Sequence, residues 1–131
     1  MAAGTIMSKR VLVCDDSVLM RKMVSECLID DGWQLVGEAS SGQEAIEKYK
    51  LLKPDAVTMD IVMPGTDGLF GLEGIKQNDA AAKVVMVSAL NQTKLISEAI
   101  RKGAHDFIAK PFLPEHLQQT LSACIDDALV A

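Results

Sequence analysis

Residues 56–68 read Ala56-Val57-Thr58-Met59-Asp60-Ile61-Val62-Met63-Pro64-Gly65-Thr66-Asp67-Gly68. The apolar run from Val57 to Met59 reads as a strand buried on both faces, as in a parallel sheet covered by helices. Asp60 stands where that strand should end. Met63-Pro64 and Asp67-Gly68 then break the strand and turn the chain. One acid is thereby left at the carboxyl edge of a buried strand, under a folded loop. In open α/β sheets that edge is where ligands bind.

Toward the N-terminus, Arg10 to Cys14 (Arg-Val-Leu-Val-Cys) is a second nearly continuous apolar strand, expected in the middle of the sheet. It runs into Asp15-Asp16-Ser17, whose acids and hydroxyl suit the free N–H groups of a helix start. The helix is predicted over about Val18 to Asp31. Leu19, Met20, Met23, Val24, Cys27 and Leu28 fall at helical spacing, and Gly32 ends the helix. Gln34 to Ala39 alternates more and reads as an edge strand. Ser41-Gly42-Gln43-Glu44 has the form of a capping box. The helix it opens buries Ala45, Ile46, Tyr49 and Leu52 and stops at Lys53-Pro54-Asp55.

Toward the C-terminus, a helix over roughly Leu69 to Gln77 is expected to be short or frayed. Gly71 and Gly74 each cost about 1 kcal/mol relative to Ala in a helix interior. Lys83 to Ser88 is a fourth buried strand. A helix from about Thr93 to Lys102 turns Leu95, Ile96, Ala99 and Ile100 inward, and Asp106 to Ala109 is a short fifth strand. Pro114 suits the first position of a last helix, Glu115 to about Leu129, with Leu117, Leu121, Cys124, Ile125 and Ala128 on one face. Five strands alternating with five helices give an α/β fold, a doubly wound parallel sheet with helices on both faces.

At 131 residues the chain fits one domain and needs neither disulfide nor structural metal to bury a core. Residues 1–8 are expected to be a disordered tail, with Met7 as a natural start, and residues 9–131 to form the domain. The net charge of −5 argues against binding DNA. No apolar run is long enough to span a membrane, and Met1 to Ile6 does not resemble a signal peptide, so a cytoplasmic location is expected. Cys14, Cys27 and Cys124 have no metal-ligand spacing and read as reduced packing residues.

The polar residues at the strand ends carry the functional signal. Asp15 and Asp16 stand at the end of the first strand, Asp60 of the third, Ser88 of the fourth and Lys110 of the fifth. Taken singly, each has a plain structural explanation: a helix start, a loop starter, a solvated lysine. In a parallel sheet, however, all these ends lie on one edge. If the first and third strands are neighbours, three carboxylates converge, and like charges so placed need compensation. A hard divalent cation such as Mg²⁺ supplies it, and Lys110 adds a positive charge. A cation, a lysine and a hydroxyl suit a phosphoryl group, for which an aspartate is a competent acceptor.

Val-Leu-Val-Cys-Asp-Asp-Ser at 11–17, Met-Asp-Ile-Val-Met-Pro-Gly-Thr-Asp-Gly at 59–68, Val-Met-Val-Ser-Ala at 85–89 and Asp-Phe-Ile-Ala-Lys-Pro-Phe at 106–112 resemble the receiver domains of two-component response regulators. The resemblance covers about residues 9 to 129 and is strongest to the stand-alone chemotaxis regulators of the CheY kind. It implies a flavodoxin-like strand order 2-1-3-4-5. It implies that Asp60 is the phosphoacceptor, that Asp16 and Asp60 bind Mg²⁺ directly with the Val62 carbonyl, and that Asp15 acts mainly through water. It further implies that Lys110 pairs with the phosphoryl oxygens, that Ser88 hydrogen-bonds them in the active state, that Phe107 is the switch aromatic, and that the Lys110–Pro111 bond is cis.

The implied protein is a monomeric signalling switch rather than an enzyme with a separate substrate. It would be charged by a histidine kinase of the CheA kind, read by an output protein such as the flagellar motor switch, and discharged with help from a phosphatase. Three other readings stay open. A receiver fragment of a larger regulator, such as a chemotaxis methylesterase, is one, and a phosphorelay intermediate is another. The third is an aspartyl-phosphate phosphatase of the haloacid-dehalogenase type, which would place its nucleophile after the first strand in an Asp-x-Asp pattern. Gly65-Thr66 and the glycines at 71 and 74 depart from the family's common pattern.

Overall fold

The structure is a computed structural model that describes residues 9–130, with side chains described as far as Ile125. The expected N-terminal tail and the side chain of Ala128 lie outside the described residues. The elements in order are β1 (Arg10–Cys14), α1 (Val18–Asp30), β2 (Gln34–Ala39), α2 (Gly42–Leu52), β3 (Ala56–Met59), α3 (Gly68–Asn78), β4 (Val84–Ser88), α4 (Thr93–Arg101), β5 (Asp106–Ala109) and α5 (Pro114–Val130). The strands form one sheet in the order β2-β1-β3-β4-β5, and every pairing is parallel. That is the order the resemblance implies. Among the described residues no helix is long and apolar enough to cross a membrane.

Two apolar layers cover the sheet. On one face Leu12, Val57, Met59, Val84 and Met86 pack under Ala45 and Ile46 of α2, Leu72 and Ile75 of α3, and Ala99 of α4. On the other, Val11, Val13, Val85, Val87 and Ile108 meet Val24 and Leu28 of α1 and Leu117, Leu121 and Cys124 of α5. The near-continuous apolar character of β1, β3 and β4 follows directly, because both faces of each are covered.

Three sequence expectations need correction. The first is α1, where only Val24, Ser25 and Leu28 are buried, while Leu19 is 66 % and Met23 is 49 % exposed. This helix rests on the sheet through a narrow stripe, so Val18, Leu19, Met23 and Ile29 face water, while Cys27 is partly buried against the same layer. Its end is as expected. Gly32 takes φ +90°, its N–H donates to Ile29 O at 3.0 Å, and Trp33 N donates to Leu28 O at 3.0 Å, a Schellman termination. Similarly, Ile100 of α4 is not inward but 45 % exposed.

The second correction is α3, which is neither short nor frayed but runs eleven residues, capped by Asp67, whose carboxylate accepts from Phe70 N. Its glycines are there for contact. A Cβ on Gly71 would stand 3.1 Å from Gly42 Cα, and one on Gly74 would stand 2.2 Å from Ile46 Cδ1. Tertiary packing against α2 overrides the propensity cost.

The third is the capping box of α2. Ser41 Oγ accepts from Glu44 N at 3.2 Å, but Glu44 reaches back to Ser40 N, at 2.7 Å, one residue before the cap.

β2 is the edge strand expected, with an irregular pairing. Its pairing with β1 shifts between Val11↔Leu35 and Leu12↔Gly37, so Val36 is an extra residue. A bulge of this kind exchanges the faces of all that follows. Leu35 packs with the α1 and α5 layer, whereas Ala39 packs with the α2 layer. Glu38 is thereby turned toward α1.

Gly74→Ala tests the packing account of α3. Propensity alone predicts a gain of about 1 kcal/mol; overpacking against Ile46 predicts a loss of about 1–3 kcal/mol. Urea unfolding should show the loss, and Ile46→Val, which removes the atom nearest the new methyl, should relieve most of it. A stabilised Gly74→Ala protein would contradict this account.

Candidate functional site

The parallel order brings the ends of β1, β3, β4 and β5 to one edge, and backbone hydrogen bonds fix Asp15, Asp60 and Lys110 there. Asp15 N donates to Ala39 O at 2.9 Å, Asp60 N donates to Cys14 O at 2.9 Å, and Lys110 N donates to Ser88 O at 2.9 Å. Asp15 and Asp60 are only 3 % and 7 % exposed, whereas Asp16 is exposed. The three carboxylates each offer an oxygen within 4.8 Å of the other two, as the sequence predicts.

Each buried acid is held at both oxygens. Asp15 Oδ1 accepts from Ser17 N at 2.9 Å and Asp60 Oδ1 accepts from Ile61 N at 2.7 Å. The remaining oxygens share one cation: Lys110 Nζ lies 2.6 Å from Asp15 Oδ2 and 3.3 Å from Asp60 Oδ2. Three carboxylates against one ammonium leave a net negative site. A hard divalent cation takes oxygen ligands, and the donor set here, carboxylates at an edge with one exposed member, fits such an ion. Asp15, Asp16 and Asp60 are the residues that could hold it.

The other predicted residues stand around this trio. Ser88 is fully buried, and its Oγ accepts from Leu90 N at 3.2 Å, leaving its own proton for another acceptor. Val62 is 55 % exposed in the loop after β3. Phe107 is half-buried against the α2 to α4 layer. The Lys110–Pro111 bond is cis, as the resemblance implies. The Cys14 thiol, immediately before Asp15, is pushed far up by burial and, secondarily, by Glu44, so it stays protonated.

Two positioning features were not legible in the sequence. A Cβ on Gly68 would fall 1.9 Å from Asp60 O, so the start of α3 can pack over the acid only as glycine. Gly68 N also donates to Ile61 O at 2.8 Å. Thr66 ties the same loop to α2: its carbonyl accepts from Gly42 N at 2.8 Å and its Oγ1 from Gln43 N at 2.7 Å. The Asp67-Gly68 pair signalled a turn, but nothing local to Thr66 points to a helix 23 residues away.

The sequence model of the response regulator receiver domain matches residues 11–122. The chain belongs to the response regulator receiver family. It is similar to the chemotaxis protein CheY of Thermotoga maritima, at 46 % identity over 116 residues, which covers 88 % of this chain and 97 % of that one. It is also similar to CheY of Bacillus subtilis, at 42 % identity over 92 % of this receiver and all of that protein. A protein-glutamate methylesterase of Syntrophomonas wolfei shares 48 % identity, but there the receiver covers only 30 % of the relative. In structure it is similar to a chain of the CheX–CheY–BeF₃–Mg²⁺ complex from Borrelia burgdorferi, with a TM-score of 0.85, 36 % identity and 87 % of each chain covered. Receiver domains related to CheY are signalling switches, not classical enzymes.

Removing the shared ammonium should expose the repulsion it masks. Lys110→Met is expected to lower stability at neutral pH by about 2 kcal/mol, less than the loss from a wholly enclosed pair because the site opens to solvent. Millimolar Mg²⁺ should restore the loss, since an ion bound to the folded state stabilises it. Thermal melts with Mg²⁺ and with EDTA check this; a variant as stable as the parent in EDTA would contradict it.

Proposed function

We propose that this receiver domain is a phosphorylation-driven switch in which Asp60 accepts a phosphoryl group from the phosphohistidine of a kinase. The observation that carries the reading is Lys110 Nζ standing between Asp15 and Asp60. A cation so placed has a carboxylate to hand over to a phosphoryl group and a second carboxylate to remain with. A carboxylate oxygen of Asp60 attacks phosphorus in line as the bond from phosphorus to the imidazole nitrogen breaks. The electron pair of that bond leaves with the imidazole, and an acyl phosphate forms. Asp16 and Asp60, with the Val62 carbonyl and with Asp15 nearby, would hold Mg²⁺, which would supply neutralisation of the negative charge that develops. Lys110 donates to the new phosphoryl oxygens, and the Ser88 hydroxyl turns its proton to them. Phe107, half-buried at rest, then moves inward and remodels the face made by α4, β5 and α5. This is a bistable element biased by a local charge event.

The similarity to CheY along nearly its full length favours a chemotaxis role. The kinase is then of the CheA kind and the output protein a flagellar motor switch, with a monomeric, cytoplasmic receiver between them. The methylesterase relative keeps a second reading in view, a receiver acting within a larger regulator.

Acetyl phosphate with Mg²⁺ should add one phosphate, read by intact mass, and Asp60→Asn should abolish it. Phosphate uptake that survives in Asp60→Asn, or proceeds equally in EDTA, contradicts the assignment. Ser88→Ala should still be phosphorylated but bind its output partner equally with and without phosphate; normal switching would remove Ser88 from the relay.

The lifetime of the signal is also expected to be long. Val62 and Leu90, two positions after Asp60 and Ser88, are 55 % and 38 % exposed, and their side chains carry no polar atom to orient an attacking water. The double variant Val62→Asn, Leu90→Glu should lose its phosphoryl group about ten-fold faster, equivalent to roughly 1.4 kcal/mol of barrier. Equal decay in the two proteins would mean that these side chains do not set the timer.

A further inference from the structure

Asp15 is held at every polar atom, Asp16 is not. Among the described residues no donor fixes the Asp16 carboxylate, so its place depends on the backbone that carries it. That backbone has one unusual contact. Arg21, one turn into α1, donates through Nη1 to Asp15 O at 2.7 Å. This carbonyl belongs to the peptide joining Asp15 to Asp16, and fixing its oxygen fixes the plane from which Asp16 projects.

The guanidinium is itself held. Arg21 Nε donates to Glu38 Oε1 at 2.9 Å, and the Arg21 side chain is only 17 % exposed. Glu38 reaches α1 because the bulge at Val36 turns it to that face. Lys48 Nζ donates to the Glu38 carbonyl and lies 3.3 Å from Glu44 Oε2. Glu44 in turn accepts from Ser40 N at 2.7 Å. A polar strap thus runs from α2 across the edge strand to the Asp15–Asp16 peptide.

We propose that Arg21 is a positioning residue for the cation site: by holding the Asp15–Asp16 peptide it sets where the Asp16 carboxylate meets a bound divalent ion. The proposal rests on the reading that Asp15, Asp16 and Asp60 hold such an ion. Charge and position make opposite predictions here. The Arg21 guanidinium, held at the Asp15 carbonyl, would repel a divalent cation bound by the neighbouring acids, so removing its charge alone should tighten metal binding. Removing its hold on the peptide should weaken it.

The test is a Mg²⁺ titration by calorimetry of the full chain and of Arg21→Gln, Arg21→Lys and Glu38→Gln, with urea unfolding of each. Arg21→Gln should weaken Mg²⁺ binding at least about ten-fold, the scale seen when an outer partner of a metal ligand is lost. Arg21→Lys keeps the charge but cannot hold Glu38 and the carbonyl together, and it should also bind more weakly. Glu38→Gln, which leaves the carbonyl contact in place, should lose only about two- to three-fold, below the usual range for outer partners. Arg21→Gln binding as well as or better than the parent overturns the proposal, even if its unfolding midpoint falls. If Arg21→Gln does not fold, parent-like affinity in both Arg21→Lys and Glu38→Gln overturns it. A parent protein that binds no Mg²⁺ overturns the cation reading itself, and this proposal with it.

Discussion

One ammonium shared by two buried carboxylates is the constraint on which the active edge of this receiver depends. Lys110 Nζ touches Asp15 at 2.6 Å and Asp60 at 3.3 Å, and Asp16 adds a third negative charge within 4.8 Å. Burying ionised groups is tolerated only where they are paired and hydrogen-bonded. The pairing is incomplete by design of the charge count: one positive against three negative. The deficit makes the edge receptive to a divalent cation. A phosphoryl group on Asp60, as proposed, would bring further negative oxygens and give Lys110 a competing partner.

The fold exists in the form that makes this meeting possible. Asp15 and Lys110 are 95 residues apart in sequence, yet both follow strands of one parallel sheet, so their positions at the edge are set by topology. Strand neighbourhood brings Asp15 and Asp60 together, because β1 and β3 pair directly. The loop over Asp60 is held from two sides, by Gly68 packed on the Asp60 carbonyl and by Thr66 at the start of α2. Arg21 and the bulged edge strand complete the frame on the far side. Asp15 and Asp60 are therefore preorganised by backbone contacts, and they would need little rearrangement when a ligand arrives.

Much of this was legible in the sequence, for a physical reason. Strands buried on both faces must be apolar throughout, so β1, β3 and β4 announce themselves, and the polar residue that follows each is conspicuous. Asp15, Asp60 and Ser88 are found that way; Lys110 follows the short, partly exposed β5. What was not legible depends on contacts between distant segments. The glycines of α3 look like helix breakers until α2 is placed against them. Leu19 and Met23 fit a helical stripe, but the width of the buried stripe is set by how α1 sits on the sheet. The bulge at Val36 leaves no local mark, yet it decides that Glu38 faces Arg21. Thr66 caps a helix from across the fold. Periodicity reports burial along one element; it carries no information on which element approaches how closely.

The central claim is that Lys110 passes from carboxylate to phosphoryl group. The most direct measurement is a crystal structure of the full chain with Mg²⁺ and beryllofluoride, which stands in for a phosphoryl group on a carboxylate. Beryllofluoride is expected on Asp60, the metal ion against Asp16 and Asp60, and Lys110 Nζ within hydrogen-bonding distance of a fluorine, no longer on Asp60. Beryllofluoride on another residue, or Lys110 Nζ still paired with Asp60 beside an occupied site, would contradict it.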